Sequence, residues 1–443
     1  MMRRIKRKLF FLFMLLIFLI SIRNVLDSIF ADAPYLFKPF NLESFMLFTN
    51  EKKRELVLLQ MIVRHGHRAP YTSWPTNIYN AHGFWKEGYQ SLTQLGRLQN
   101  YVMGKHLQNI YKNFITTNPK EVNVLATEAA RALYGAYAFM AGLYAPKKEN
   151  QFSDDIQWQP IIPNTAGYEN IFGRNGKCKR ANDELDVFHN SKLYNETLQR
   201  HKFLYRFLAF HTRVVVQDPF HASEIARTLN TQEYFNLSSP KWSEPCRDEL
   251  KYQILLNYYF LYSTKILLRY RVGNLLNHMI SNMILKMKDD MEDKRVIVYA
   301  GHGSTITQVL FTLNKFSFVE TPMGSVLVLE LWKEDDAYSL RFLHFNSSSP
   351  EIRIDPPVSL YFEECGGSFC SVESFLNRTA EFRPVDFLAE CDYKMNISLR
   401  PLETVCDLPP FVSSSEMLKT SHLLLEIMNL FIVISYIHSI IKL

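Results

Sequence analysis

The sequence predicts a mixed α/β fold, in which a mostly parallel sheet is flanked by helices and carries a mainly helical cap as an insertion. The first observation is an alternation of strand and helix patterns over residues 56–143, which is typical of parallel strands joined by right-handed crossovers. The second is a change of character over residues 160–272, where short aromatic-rich helical segments replace strand patterns. The third is the return of strand patterns from residue 295 onward.

These patterns predict a core made of residues 50–159 and 273–408, with the cap at residues 160–272. A chain of 443 residues is long enough to bury one large core and still carry a sizeable insertion. Its hydrophobic content of 47% and charged content of 21% are those of a globular protein rather than a disordered one.

The first half of the core contains two strands and two helices. Residues 56–63 form an apolar run that predicts a buried strand. Residues 91–111 predict a long helix, because apolar residues recur at helical spacing and Thr93 can cap the start. The β-branched stretch Val122–Ala126 predicts the second strand, and the Ala-rich residues 128–143 predict the second helix.

The second half of the core is rich in strands. The β-branched residues 295–300 predict a strand that resumes the sheet. Residues 325–332 and 339–345 predict a hairpin, with the acidic residues 334–336 at its turn.

A cluster of basic residues stands where the first predicted strand ends, in the string RHGHRAP at residues 64–70. Ligands of open α/β sheets bind beyond the carboxyl ends of the strands. Arginine suits phosphate because its planar fork donates parallel hydrogen bonds and stays charged. Crowded cations repel one another unless a bound anion relieves the conflict, so the string predicts a phosphate site with His65 beside phosphorus. A solvated basic loop is the alternative, and the length of the string disfavours it.

Two further predicted strands are followed by residues of the same kind. Arg131 comes four residues after Thr127, so we expect both on one face of the second helix. His302 stands where a strand ends and a helix begins, so its ring can donate to a phosphate oxygen beside the helix N-terminus. A surface arginine and a loop histidine are the ordinary alternatives, but equivalent positions after parallel strands favour one shared site.

Together these motifs, with the stretches at residues 85–88 and 92–96, resemble those of the histidine acid phosphatases. The pattern over residues 55–393 is similar to prostatic-type acid phosphatases and their membrane-anchored relatives. The resemblance implies a histidine phosphatase-like fold and two-step hydrolysis of phosphate monoesters, with His65 as the nucleophile and no metal or other cofactor. It implies that the phosphate oxygens are held by Arg64, Arg68, Arg131 and His302. A homodimer is implied by the resemblance alone.

One position departs from the family pattern. The family places an acidic residue after the second histidine, where it protonates the leaving oxygen, and this chain has Gly303 there. General acid catalysis typically contributes about 10²–10⁴-fold to rate. The sequence therefore predicts a weakened phosphatase, with a pseudophosphatase that only binds phosphorylated ligands as the alternative. Glu128 is open as a substitute acid, although an acidic residue at a helix start is more often there for the dipole.

Cysteines and glycosylation triplets favour export. An even number of cysteines is typical of a chain bound for an oxidising compartment. The resemblance implies two disulfides, Cys178–Cys391 and Cys365–Cys370. Cys246 is left either to pair with Cys406 or to remain a free thiol. The candidate glycosylation sites are Asn195, Asn236, Asn346, Asn377 and Asn396.

Both ends of the chain carry apolar segments. A basic cluster followed by the apolar residues 9–20 predicts a signal peptide, or a retained signal anchor, within residues 1–33. Residues 422–443 are near spanning length and predict a transmembrane helix or a lipid-anchor signal. An amphipathic helix packed on the domain is the alternative. The predicted location is the secretory pathway, with a membrane-anchored lumenal or extracellular catalytic domain.

The charge distribution disfavours nucleic acid as a partner. The formal net charge is +6, but five of the 50 basic residues lie in the first eight positions, and the remaining 45 are balanced by 44 acidic residues. No basic stripe is left to bind a polyanionic backbone. The predicted ligand is a phosphorylated small molecule or a phosphoprotein.

Overall fold

The computed structural model describes residues 54–408, apart from 82, 152, 156–157, 166–170, 173–177, 292, 347–353 and 396–403. The signal segment at residues 1–33 and the apolar segment at residues 422–443 lie outside the described residues, as does Asn396, so those assignments stay predictions. Within the described part of the chain, no helix has the length and apolar character that a bilayer span requires.

A single mixed sheet forms the centre of the fold. Its order is β2-β3-β1-β4-β5-β6, and β7 also pairs with β5. Strands β2, β3 and β1 are parallel, whereas β4 to β7 continue the sheet in antiparallel pairs. The predicted mixed α/β class is confirmed. The strands are β1 (Glu55–Arg64), β2 (Val122–Ala126), β3 (Val296–Gly301), β4 (Val326–Glu334), β5 (Ala337–Phe345), β6 (Val358–Ser359) and β7 (Phe369–Ser371).

The register of the parallel strands places their carboxyl ends side by side. Arg64 at the end of β1 pairs with Gly301 at the end of β3. Ala126 at the end of β2 pairs with Ala300 of β3. The residues that follow these strands therefore begin at the same edge of the sheet.

Helices α1 (Gln94–Ile110) and α2 (Ala130–Leu143) pack on one face of the sheet. Thr93 caps α1 as predicted, since its Oγ1 accepts a hydrogen bond from the amide of Gly96. The prediction that Thr127 and Arg131 share a helical face is wrong. The amide of Thr127 still donates to the carbonyl of Ala300 in β3, so the chain stays extended there and α2 starts only at Ala130.

A run of helices connects β2 to β3. The last of them, α8, continues through residues 272 and 273, where the boundary between cap and core is predicted. Gly273 does not break this helix. It permits close packing, since a Cβ there would lie 2.3 Å from the carbonyl oxygen of Phe382. The helices are α3 (Lys179–His189), α4 (Lys192–Arg200), α5 (Lys202–Thr212), α6 (Pro219–Tyr234), α7 (Arg247–Tyr262) and α8 (Lys265–Met287).

Among the described residues, three α-helices follow β3 in the chain. The first begins directly after His302, as the sequence predicts. The predicted hairpin is also confirmed, because β4 and β5 pair in antiparallel register around a turn at Asp335 and Asp336. The helices are α9 (Gly303–Thr312), α10 (Val372–Thr379) and α11 (Phe387–Cys391).

Alternating residues of β1 divide the hydrophobic core between the two faces of the sheet. Leu58 and Ile62 pack with residues from helices α5 to α9. Leu59, Met61 and Val63 pack with residues of α1 and α2. With both faces covered, β1 is buried over most of its length and its carboxyl end has little freedom to move.

Four of the cysteines form two disulfides, and the other two remain thiols. The implied pairs Cys178–Cys391 and Cys365–Cys370 are both formed. Cys246 precedes α7, whereas Cys406 packs beside Tyr259 in the last turn of the same helix. Thirteen residues of helix separate Cys246 from Tyr259 by roughly 20 Å, and a disulfide requires Cα atoms within about 7 Å. Both thiols are therefore free.

The disulfide that closes the longer loop should contribute more to stability. Cys178 and Cys391 are separated by 213 residues and Cys365 and Cys370 by five, and the entropy removed from the unfolded chain grows with loop length. We expect the double serine variant at 178 and 391 to lower the free energy of unfolding by about 2–5 kcal/mol, measured by urea denaturation. The double serine variant at 365 and 370 is the matched comparison, and a larger loss from it would contradict this ranking.

Candidate active site

The predicted site residues meet at the carboxyl edge of the parallel strands. The imidazole rings of His65 and His302 have centroids 5.3 Å apart and lie nearly perpendicular to each other. The guanidinium groups of Arg64, Arg68 and Arg131 all act electrostatically on His65. All five side chains belong to residues that are only 4–7% exposed. Three guanidinium groups and two imidazoles are therefore brought together at this edge of the sheet.

Helix α1 holds the loop that follows β1 in place. Asn100 is fully buried, and its Oδ1 accepts from the amide of Gly66 at 2.6 Å. Its Nδ2 donates to the carbonyl of Arg64 at 3.1 Å. Gly66 approaches the helix so closely that a Cβ would lie 2.1 Å from the carbonyl oxygen of Gly96. The backbone that carries His65 is thus held by α1 on both sides of the histidine.

The environment of His65 selects one tautomer and one charge state. Its Nδ1 lies 2.8 Å from the carbonyl oxygen of Gly66. A carbonyl only accepts, so Nδ1 carries the proton and Nε2 keeps its lone pair. Burial, reinforced by the three neighbouring guanidinium groups, lowers the pKa of His65 well below its ordinary value of 6.5. The lowered pKa favours the neutral, nucleophilic form of the imidazole.

The arginines are crowded as the sequence predicts. Burial, followed by the charges of Arg131 and Arg64, lowers the pKa of Arg68 to about 10, so it remains a cation. The ring of Tyr71 lies against the guanidinium groups of both Arg68 and Arg131. The buried Nε of Arg64 has no hydrogen-bond partner among the described residues. A tetrahedral anion would relieve the repulsion and could accept from this donor.

Thr127 positions the second histidine rather than sharing a helical face with Arg131. Its Oγ1 lies 3.1 Å from Nε2 of His302. The amide of His302 donates to Oγ1 of Thr305 at 3.2 Å, which fixes the backbone at the start of α9. The ring of His302 is thereby held at the N-terminal end of this helix.

The position after His302 contains no acid and little room for one. A Cβ at Gly303 would lie 3.0 Å from Cζ of Arg64 and 3.1 Å from its Nε. A side chain at this position would therefore require the guanidinium of Arg64 to move by a few tenths of an ångström. Glu128, the candidate substitute, is an exposed residue in the loop between β2 and α2.

Sequence reasoning missed two charged residues beside the arginines. Oε1 of Glu320, in the loop between α9 and β4, lies 3.6 Å from Nη2 of Arg64 and 3.9 Å from Nε of Arg227 on α6. Both line a cavity of about 580 Å³, which we call the site cavity, together with Arg64 and Arg68. No motif marks either residue, because only the folded chain brings the loop and α6 to the end of β1.

His67 is a further residue of this loop to which no sequence pattern assigns a role. It is fully buried, with Nδ1 3.0 Å from Oγ1 of Thr93 and Nε2 3.4 Å from the carbonyl oxygen of Thr231 on α6. Burial is the main cause that lowers the pKa of His67 to about 4. This neutral histidine links the loop after β1 to both α1 and α6.

Across the described residues, no cluster of three or more His, Cys, Asp or Glu side chains is close enough to hold a metal ion. The positive charge at the strand ends is supplied by arginines.

Comparisons with known proteins agree with these motifs. The model of the histidine phosphatase superfamily (branch 2) matches residues 55–345. Lysosomal acid phosphatase of Rattus norvegicus is 26% identical over 349 residues, which cover 76% of this chain and 80% of that protein. Prostatic acid phosphatase of Homo sapiens is 24% identical over 348 residues, covering 76% of this chain and 88% of that protein.

Solved structures show the same fold. The Hafnia alvei phytase in complex with tartrate superposes with a TM-score of 0.59 at 14% identity, over 76% of this chain and 99% of that one. The Citrobacter braakii phytase gives a TM-score of 0.57 at 18% identity, over 76% of this chain and 99% of that one. At these identities the likeness establishes the architecture alone.

Proposed function

Because this chain belongs to the histidine phosphatase superfamily, branch 2, we propose that it hydrolyses phosphate monoesters through a phosphohistidine on His65. The observation that carries the proposal is the Nε2 lone pair of a neutral, buried His65 among three buried arginines. A nucleophile and its anion-binding donors are thus combined in one space.

The reaction has two displacements at phosphorus. In the first, Nε2 of His65 attacks in line, the N–P bond forms, the P–O ester bond breaks and the leaving oxygen takes up a proton from solvent. In the second, water attacks phosphorus, the N–P bond breaks and inorganic phosphate leaves. The three arginines and His302 stabilise the non-bridging oxygens in both steps, where transition-state charge is spread.

The proposal includes weak turnover on esters with poor leaving groups. With Gly303 after His302, the leaving oxygen lacks the proton donor that the family has at this place. An alkoxide is a poor leaving group without a proton, whereas a nitrophenolate leaves readily. Aryl phosphates should therefore be cleaved much faster than alkyl phosphates.

We expect kcat/KM for an activated aryl phosphate to exceed that for an alkyl phosphate by about 10²–10⁴-fold, the usual contribution of general acid catalysis. Both rates are to be measured on the purified full chain, with the His65→Ala variant as background. Equal rates on the two substrate classes would contradict the assigned consequence of Gly303.

The alternative is a pseudophosphatase that binds phosphorylated ligands without turnover. The absent acid and the Arg64–Glu320 ion pair both favour it over full activity. Folded protein that binds vanadate or phosphate but forms no phosphohistidine with an aryl substrate would establish this alternative.

Glu320 should weaken anion binding in either case. Its carboxylate contacts Arg64, and it would repel a phosphate dianion bound there. We expect Glu320→Gln to lower the inhibition constant of inorganic phosphate roughly fivefold, or about 1 kcal/mol. The matched control is Glu364→Gln, which breaks a pair with Arg378 away from the site cavity. Unchanged or weaker inhibition in Glu320→Gln would refute this role.

We also propose a place in the secretory pathway. Two disulfides support an oxidising compartment, and the lysosomal and prostatic relatives agree with it. The signal segment, the C-terminal membrane anchor and a homodimer belong to the same proposal. So does a substrate that is a phosphorylated small molecule or a phosphoprotein.

A further inference from the structure

One of the candidate glycosylation triplets includes a residue that lines the site cavity. Asn236 lines the site cavity together with Arg64 and Arg68, and it is exposed to solvent at the same time. It therefore stands on the rim. The other described candidates, Asn195, Asn346 and Asn377, are not among the residues that line this cavity.

The C-terminal end of α6 forms this part of the rim. Asn230, Glu233 and Tyr234, all in the last part of α6, line the cavity. Asn236 follows in the left-handed region with φ +54°, and its amide donates to the carbonyl of Glu233 at 2.9 Å. An asparagine in this conformation commonly ends a helix, so the position is held in a defined turn against the cavity wall.

The third residue of the triplet is also in a defined place. Ser238 is exposed, and its Oγ lies 2.9 Å from the hydroxyl of Tyr79. The acceptor Asn236-Leu237-Ser238 thus lies on the outer surface, between the site cavity and the segment that contains Tyr79.

We propose that Asn236 carries an N-linked glycan that restricts the site cavity to small phosphate esters. The inference rests on the proposed function and on the proposed passage through the secretory pathway. In the attachment step, Nδ2 of Asn236 loses a proton and bonds to C1 of the first sugar. The pyrophosphate of a lipid-linked oligosaccharide donor is the leaving group.

The physical effect is steric. A glycan is bulky and hydrated, and one that begins on the cavity rim occupies the space that the chain around a phosphorylated side chain would need. A small ester brings no such chain and enters beneath the glycan. Removal of the glycan should therefore change access for phosphoproteins and leave small esters unaffected.

The test compares two substitutions at one position. Ser238→Ala removes the acceptor triplet, whereas Ser238→Thr keeps it. The full chain is expressed in a glycosylating eukaryotic host, and the mass of the peptide containing Asn236 is read before and after glycan release. We expect wild type and Ser238→Thr to carry the glycan and Ser238→Ala to lack it.

The second readout is the ratio of kcat/KM for phosphocasein to that for a small aryl phosphate. We expect Ser238→Ala to raise this ratio about tenfold, within the range that pocket-size discrimination supplies, with Ser238→Thr at the wild-type value. Removing the glycan from folded wild-type protein with an endoglycosidase should also raise this ratio. This experiment needs no substitution. No glycan at Asn236, or an unchanged ratio after its loss, overturns the proposal.

Failure of the proposed function is distinguishable from failure of this inference. If no variant turns over the aryl substrate, hydrolysis fails, and the ratio of affinities for phosphocasein and inorganic phosphate replaces the kinetic ratio. The glycan is then judged by whether its loss strengthens phosphocasein binding about tenfold while phosphate binding stays constant.

Discussion

His65→Ala should reduce hydrolysis of an activated aryl phosphate by a factor on the order of 10⁴ or more, as loss of a nucleophile does in other covalent mechanisms. The variant keeps the arginines, so binding of inorganic phosphate should persist and show that the protein is folded. The reason is specific to Nε2: no other described imidazole combines a free lone pair with the strand-end arginines in the way that His65 does.

The measurement has two parts, a steady-state rate and an alkaline quench that preserves phosphohistidine. Wild type should incorporate phosphate on His65 during turnover, and His65→Ala should incorporate none. His189→Ala is the control, because His189 is an exposed residue at the end of α3. Activity in His65→Ala within tenfold of wild type would refute covalent catalysis at this residue.

Gly303→Asp should restore alkyl ester hydrolysis only in part, and the comparison with Gly303→Ala separates two effects. Either side chain places a Cβ 3.0 Å from Cζ of Arg64, so both variants must displace this guanidinium slightly. We expect both to lose several-fold in kcat/KM on an aryl phosphate. Relative to Gly303→Ala, Gly303→Asp should gain about 10²-fold or more on an alkyl phosphate, because only the carboxyl can protonate the alkoxide.

The informative quantity is the kcat/KM for the alkyl phosphate divided by the kcat/KM for the aryl phosphate in each variant. If Gly303→Asp and Gly303→Ala have the same ratio, the glycine is not the cause of weak alkyl turnover. If Gly303→Ala exceeds wild type on aryl phosphates, the crowding of Arg64 at this position is not a constraint on activity.

The parallel strands and their ends were predictable because each signal is local. The apolar run of β1, the β-branched residues of β2 and β3, and the basic residues after them all lie within short stretches of sequence. The equivalence of strand ends in a parallel sheet then predicts that His65 and His302 are neighbours, and their rings are 5.3 Å apart.

Other features depend on contacts that no local pattern encodes. The start of α2 is delayed because Thr127 pairs with Ala300, a residue far away in sequence. Glu320 reaches Arg64 only because the loop after α9 returns to the end of β1. Helix α8 continues past residue 272, and Gly273 within it permits close packing against Phe382, a contact that lies far away in sequence.

The pairing of Arg64 with Gly301 and of Ala126 with Ala300 affects which sequence changes the site can tolerate during evolution. Main-chain hydrogen bonds between β1, β2 and β3 set the level at which His65, Thr127 and His302 leave the sheet. Changes in the helices between α2 and β3 can alter what enters the site while these strand ends stay aligned. A one-residue register shift in any of the three strands would instead turn its side chains to the opposite face of the sheet. The arrangement of the arginines and histidines at the strand ends would then be lost.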